Sequence, residues 1–211
     1  MQSPDLRRDA PAYHRNIGPI TEVLSTILPT VPGDAMEIGS GSGQHIVSFG
    51  RTFEKLTWWP TEFAQENISS IDAWRINERS TKVQPAVRLD ASLDDWQLGA
   101  HGRPPTKLDA IFTANVIHIS PWTVCSGIVG RSSRHLKSGG HLIFYGPFFR
   151  DDHPTAPSNL AFDQRLRSRD PEWGIRQLSA IVDLAVAQGL NKPSIVEMPA
   201  NNLIVAFEKA K

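Results

Sequence analysis

The chain has 211 residues, with 22 basic and 22 acidic side chains, 40% apolar residues and one cysteine. At roughly 100–200 residues per domain this is one domain, large enough to bury about 70% of its unfolded surface without staples. Neutral net charge argues against a general nucleic-acid binder or a polybasic membrane protein, and lone Cys125 cannot close an internal disulfide, which fits a reducing compartment. No apolar run approaches a membrane span, and residues 1–8 lack the apolar core of a signal peptide. The expectation is a cytoplasmic single-domain protein with no membrane partner.

In chain order, Ile20, Val23, Leu24, Ile27 and Leu28 recur at helical spacing, and Pro29 with Pro32 closes that helix. A strand over 35–38 runs into Gly39-Ser40-Gly41-Ser42-Gly43, followed by a short helix over 44–53. Residues 56–59 read as a second strand, 64–79 as a helix, and 83–89 as a third strand. The stretch 98–106 is a loop. Residues 108–119 read as a central strand and the turn leaving it. A helix from about Val124 ends near Gly139-Gly140, a usual place for a left-handed cap, before a strand over 142–145. Ile175 to Val186 forms an amphipathic helix closed by Gly189, and strands 195–198 and 203–208 flank a hairpin connection. Strands alternating with helices predict an α/β fold with a mostly parallel sheet. Residues 149–174 break the rhythm and read as a lid insertion, and residues 1–19 as an N-terminal flap.

The glycine loop lies beyond a strand's carboxyl end, where α/β sheets bind ligands. Gln44 occupies the sixth position of the dinucleotide fingerprint, no lysine follows as a phosphate loop requires, and no G-x-S-x-G elbow occurs. Glu37, two residues before the first glycine, repels a pyrophosphate but suits a cation, which argues against NAD. Glu62 ends the second strand, where a carboxylate can accept from a ribose diol, and Asp90 ends the third, where one can accept from an adenine amino group. Taken singly, each acid reads equally as a solvated loop carboxylate or a cap. Three at successive strand ends beside the glycine loop are harder to dismiss.

This ordered set, with Leu136 to Gly140 before a strand, resembles the class I S-adenosylmethionine-dependent methyltransferases over roughly 33–208. Finer features resemble a small, poorly characterised branch of methyltransferase-like proteins. They are Arg15-Asn16, Asn115 to Trp122, Tyr145 to Phe148, Asp170 to Gly174 and Met198 to Asn202. The resemblance implies a Rossmann-like fold with helices on both faces of a seven-stranded, mostly parallel sheet, ending in an antiparallel C-terminal hairpin. It further implies S-adenosyl-L-methionine as cofactor. Glu37 with Gly39, Ser40, Gly41 and Gly43 would face its methionine part, Glu62 the ribose, Asp90 and Ala91 the adenine, and Asn115 the methyl group.

Methyl transfer from a sulfonium needs mainly an acceptor held in line, and a base only where the attacking atom carries a proton. His118 is the first base candidate, against the competing reading of a structural histidine, and Tyr145 is the second catalytic candidate. Tyr145 and Phe148 would shape the acceptor pocket. Tyr13 and Arg15 would fold over the site, with an N-cap role competing for Asn16, and Arg150 would meet an anionic acceptor. The histidines make no i, i+4 pair and no motif with the cysteine, so no metal is expected. The absence of a recognition domain favours a small-molecule acceptor over nucleic acid. A catalytically silent cofactor-binding interaction module remains open, as does a protein or RNA methyltransferase recruited through a partner.

Overall fold

A computed structural model describes residues 5–210. Helix α1 spans Pro11–Ile27 and starts nine residues before its first periodic apolar residue. Pro11 sits in the first turn, where its fixed φ and missing N–H suit a helix start, and Ala10 occupies the N-cap position. Tyr13, Arg15 and Asn16 are thus helical, which removes the N-cap role for Asn16. The helix also runs through Pro19. Of the expected flap, residues 1–4 lie outside the described residues, and 11–19 belong to α1.

The strands are β1 (Gly33–Ile38), β2 (Leu56–Glu62), β3 (Val87–Arg88), β4 (Leu108–Ala114), β5 (Leu136–Gly146), β6 (Phe148–Phe149), β7 (Arg176–Gln177), β8 (Ser194–Met198) and β9 (Asn202–Glu208). The helices after α1 are α2 (Gln44–Thr52), α3 (Gln65–Asn77), α4 (Trp122–His135), α5 (Pro157–Arg169) and α6 (Leu178–Ala187). Seven strands form one sheet in the order β3-β2-β1-β4-β5-β9-β8, and β6 pairs β7 separately. β1 pairs in parallel with both β2 and β4, whereas β9 runs antiparallel between β5 and β8. The chain leaves β1 toward β2 and later returns to its other side, so the crevice beyond β1 and β4 is the topological switch point.

Alternation along the central strands separates two core layers. Met36, Ile111, Leu142, Phe144, Val205 and Phe207 pack with Ile128, Val129 and Ile181 of α4 and α6. Ala35, Ala110, Phe112, Ile143, Tyr145, Ile204 and Ala206 pack with Ile20, Leu24, Ile46, Phe49 and Ile71 of α1, α2 and α3. Helices therefore cover both faces.

Three boundaries depart from expectation for local reasons. Pro85 interrupts the third strand, so its continuous ladder with β2 is confined to Val87 and Arg88, and Val83 makes a lone bridge to Trp58 of the same strand. Helix α4 ends at His135, short of the glycines. Gly139, at φ +76°, lies instead in a bulge where residues 137–140 are inserted opposite Asp109, and a Cβ on Gly140 would stand 3.0 Å from the Asp109 carbonyl. The long connection after β5 is not bare loop: it carries α5 between the paired β6 and β7. Among the described residues, no helix is long and apolar enough to cross a membrane.

Candidate functional site

The loop after β1 is folded by its neighbour strand. Gly39 and Ser40 amides donate to the Thr61 carbonyl at 2.9 and 3.0 Å. The Gly41 amide donates to Glu62 Oε2 at 2.9 Å, and Glu62 Oε1 accepts from Phe63 and Ala64 at 2.8 and 3.2 Å. Glu62 thus pins both the glycine loop and its own strand end. Gly43 (φ +92°) starts α2, and a Cβ there would stand 2.6 Å from the Ile71 Cα, so both backbone angle and close approach require glycine. Gly41, by contrast, has open space where a Cβ would be.

Glu37 is 2% exposed, and burial, opposed by the nearby Ser40 hydroxyl and reinforced by Glu62, pushes its carboxyl up to about 8. Its Oε2, the Ser40 hydroxyl and the Thr113 hydroxyl are all buried without a hydrogen-bond partner. Thr113 sits on β4 in register with Ile38, and so takes the face of the sheet opposite to Glu37, whose neighbour on β4 is Phe112. A stranded buried polar atom costs about 1–3 kcal/mol. The Glu37 carboxyl at the switch point marks a polar ligand's seat, and an ammonium or sulfonium cation suits a carboxylate that burial has left short of a counter-charge. The residues present therefore fit S-adenosylmethionine.

Asp90 follows β3, and its Oδ1 accepts from the Ser92 amide and hydroxyl at 2.9 and 2.6 Å, a turn-capping role. Ala91 is buried against α4, where a Cβ on Gly127 would collide with its carbonyl. Asn115 ends β4 in the left-handed region at φ 61°, with its amide donating to the Tyr145 carbonyl at 2.8 Å.

A single 3-10 turn, Val116–His118, carries His118 back into the molecule. The imidazole is fully buried, edge-on to Phe148 with centroids 5.3 Å apart, and neither ring nitrogen has a partner. Burial, with Arg176 nearby, depresses its pKa to about 3, so it is neutral at physiological pH. Gly146 is the close neighbour: a Cβ there would lie 2.7 Å from His118 Nε2 and 2.9 Å from Asn115 Oδ1.

The remaining expected residues divide. Tyr145 lies in the opposite core layer from Phe148, and its hydroxyl accepts from Asn202 Nδ2 at 3.2 Å. The structure does not bring Tyr145 together with His118. Tyr13 meets Ser48 Oγ at 2.6 Å on the α1–α2 face, lining a groove of about 690 Å³ with Trp74 and Arg51, and Arg15 bonds the Pro11 carbonyl. Phe148 and Arg150 do share a cavity, of about 160 Å³, with Asn159, Glu197, Asn201 and Leu203. Arg150 is already paired there with Glu197 at 2.6 Å and Asp152 at 3.3 Å. Residues not anticipated are Thr113, hidden as an ordinary strand threonine, and Arg176, Asp163 and Gly174, which reach His118 only through the fold. Among the described residues, no group of three His, Cys, Asp or Glu side chains could hold a metal ion.

Residues 7–209 match the family described as "Protein of unknown function (DUF938)". The chain belongs to that family. Its fold is similar to that of an O-methyltransferase family protein from Burkholderia thailandensis, with a TM-score of 0.78 at 13% identity, covering 95% of this chain and 58% of that one. It is also similar to the mitomycin 7-O-methyltransferase MmcR (TM-score 0.73, 16% identity, 90% and 53% covered). A third similar structure is the S-adenosylmethionine-dependent methyltransferase SibL (0.72, 13%, 95% and 56%). The chain therefore spans little more than half the length of these proteins. Strand order, the antiparallel β9 and these likenesses together give this family member the class I methyltransferase fold.

Proposed function

We propose that this chain is an S-adenosylmethionine-dependent methyltransferase acting on a small-molecule acceptor. The observation that carries the reading is the buried Glu37 carboxyl, with an unpartnered oxygen, beside the glycine loop at the switch point of a methyltransferase fold. When bound, the cofactor supplies a methyl group activated on a sulfonium. Glu37 would neutralise its cationic methionine end. Glu62 would take the ribose hydroxyls while keeping its backbone bonds, and Asp90, through its second oxygen, the adenine amino group. Gly41 would leave room for close approach to the cofactor, Gly39 and Gly43 would hold the loop against Val116 and Ile71, Ala91 would flank the adenine, and Asn115 would line the methyl side.

His118 would accept a hydrogen bond from the acceptor's O–H or N–H and orient it for attack. With its pKa at about 3 it does not retain the proton, which passes to solvent. The 160 Å³ cavity beside Phe148 suits a small acceptor, and the paired Arg150 leaves no spare cation there for an anionic one. Residues 5–19 and 149–174 would close the site within one domain. The mitomycin-directed neighbour supports a small-molecule acceptor, and a lone, buried Cys125 fits a cytoplasmic setting. One observation favours a silent cofactor-binding module instead: His118 lies sealed behind Phe148.

Isothermal titration with S-adenosylmethionine and S-adenosylhomocysteine tests the first half, and absence of binding at millimolar concentration refutes it. Labelled cofactor incubated with separated metabolites, proteins and RNA tests the second. Label in metabolites supports the reading, label only in macromolecules removes the small-molecule acceptor, and binding without label transfer favours the silent module.

A further inference from the structure

The turn that carries His118 has little to hold it from within. Its own bonds are the His118 amide to the Asn115 carbonyl and the Ile119 amide to the Val116 carbonyl, both at 3.1 Å in a 3-10 geometry that is intrinsically weak, and the Ser120 hydroxyl to the Val116 carbonyl at 2.7 Å. The returning end of the β5–α6 connection supplies the rest. Arg176, on β7, donates from Nε to the Ile117 carbonyl at 2.8 Å and from Nη2 to the Ser120 carbonyl and, at 2.8 Å, to that of Glu172. The Gly174 amide donates to the His118 carbonyl at 2.9 Å. Carbonyls 117, 118 and 120 are therefore all gripped from one side.

That side is itself anchored. The Asp163 carboxylate on α5 takes the Ile175 amide and Arg167 Nε, each at 2.8 Å. A Cβ on Gly174 would stand 2.7 Å from both Asp163 and Arg167, so the strand passes α5 at glycine distance. Arg176 is half-buried, yet among the described residues it pairs with no carboxylate, and its donors go to backbone carbonyls instead. Only a planar guanidinium can span carbonyls three residues apart while reaching a third from its own loop; a lysine ammonium is a point donor.

We infer that Arg176 is a positioning residue for His118: its guanidinium sets the 116–120 turn, and so aims the imidazole at Gly146 at the end of β5. The inference rests on the reading of His118 as the group that meets the acceptor. It makes the segment 150–177 a bracket for the site rather than only a cover.

The test uses the full chain labelled with ¹⁵N-histidine, the His118 ring signals being assigned by their loss in His118→Gln. Arg176→Lys keeps the charge without the fork, Arg176→Gln keeps donors without the charge, and Arg165→Ala, an exposed residue of α5, is the control. Both Arg176 variants should broaden or split the His118 ring signals and speed amide exchange at 117–120 by tenfold or more. Their S-adenosylhomocysteine affinity should stay within threefold of the parent, and Arg165→Ala should match the parent throughout. Unchanged ring signals and exchange in both variants overturn the inference. So does an effect confined to Arg176→Gln, which would mean that charge alone matters. Loss of cofactor-product binding in the parent protein would overturn the methyltransferase reading while leaving the ring signals to decide the role of Arg176.

Discussion

The two halves of the candidate site are built from different kinds of contact. On the cofactor side, side chains bond backbone close by in sequence: Glu62 caps the residues one and two positions on, and Asp90 the residue two on. Its longer links, Gly41 to Glu62, Thr61 to Glu37 and Ser70 to Ser42, span 21, 24 and 28 positions. On the acceptor side the links span 59 positions from Arg176 to Ile117, 57 from Asn202 to Tyr145 and 47 from Arg150 to Glu197. The first half joins local turns to one neighbouring strand–helix unit, β2 and α3. The second exists only once the whole sheet has assembled.

The sharpest way to break this contrast is Gly43→Ala. The substitution adds a left-handed backbone penalty of about 1–2 kcal/mol and an overpacking penalty of about 1–3 kcal/mol against Ile71. A loss of about 3 kcal/mol in urea unfolding is expected, with cofactor-product binding abolished. A loss under about 1 kcal/mol would show that the loop adjusts freely and is not fixed by α3. Glu62→Ala comes next. It strands three backbone amides, so stability should fall by about 1–3 kcal/mol and S-adenosylhomocysteine affinity by tenfold or more. Full affinity in a destabilised variant would make Glu62 a loop clamp only.

The same contrast explains what the sequence made legible. The glycine loop, Glu37, Glu62 and Asp90 were readable because strand, turn and acid are contiguous and each strand end needs its own cap. The parallel sheet and terminal hairpin followed from periodicity. Less visible was the start of α1, because the apolar periodicity begins only at Ile20, while the earlier turns are tied to α2 by the hydrogen bond between the Tyr13 and Ser48 hydroxyls. The glycines at 139–140 imitate a helix cap but serve a bulge whose partner, Asp109, lies some 30 positions away. Tyr145 looked catalytic because it precedes Gly146-Pro147. Which face of β5 it takes depends on a register with β4 and β9 that no local pattern reveals. Arg176 carried no signal at all, being one of several arginines in a mixed-charge stretch.

Glu37 sharpens the cofactor half through pH. Its carboxyl is raised to about 8 by burial, whereas in the unfolded chain it titrates near its ordinary value of 4.5. Between these values the folded state holds a proton that the unfolded state has lost, so stability falls as pH rises through that window. The slope should be on the order of 1 kcal/mol per pH unit, and Glu37→Gln should flatten it. Binding a cationic cofactor favours the ionised carboxylate, so titration at pH 7 in buffers of different ionisation enthalpy should reveal proton release. Equal heats in all buffers would separate Glu37 from the cofactor.

The smallest expected effect belongs to Arg150, and it bears on the acceptor half. Its partners Glu197 and Asp152 are 71% and 70% exposed, so water screens both pairs. Arg150→Ala should therefore cost less than about 1 kcal/mol of stability. Its meaning lies in turnover. If the acceptor is uncharged, the guanidinium serves only to tie the 150–153 turn to β8, and methyl transfer should change less than threefold. If the acceptor is a carboxylate or phosphate, the ligand must displace Glu197 from the guanidinium to bind. The variant would then raise KM tenfold or more with kcat little changed, and the acceptor half would owe its selectivity to a surface ion pair rather than to the buried turn of His118.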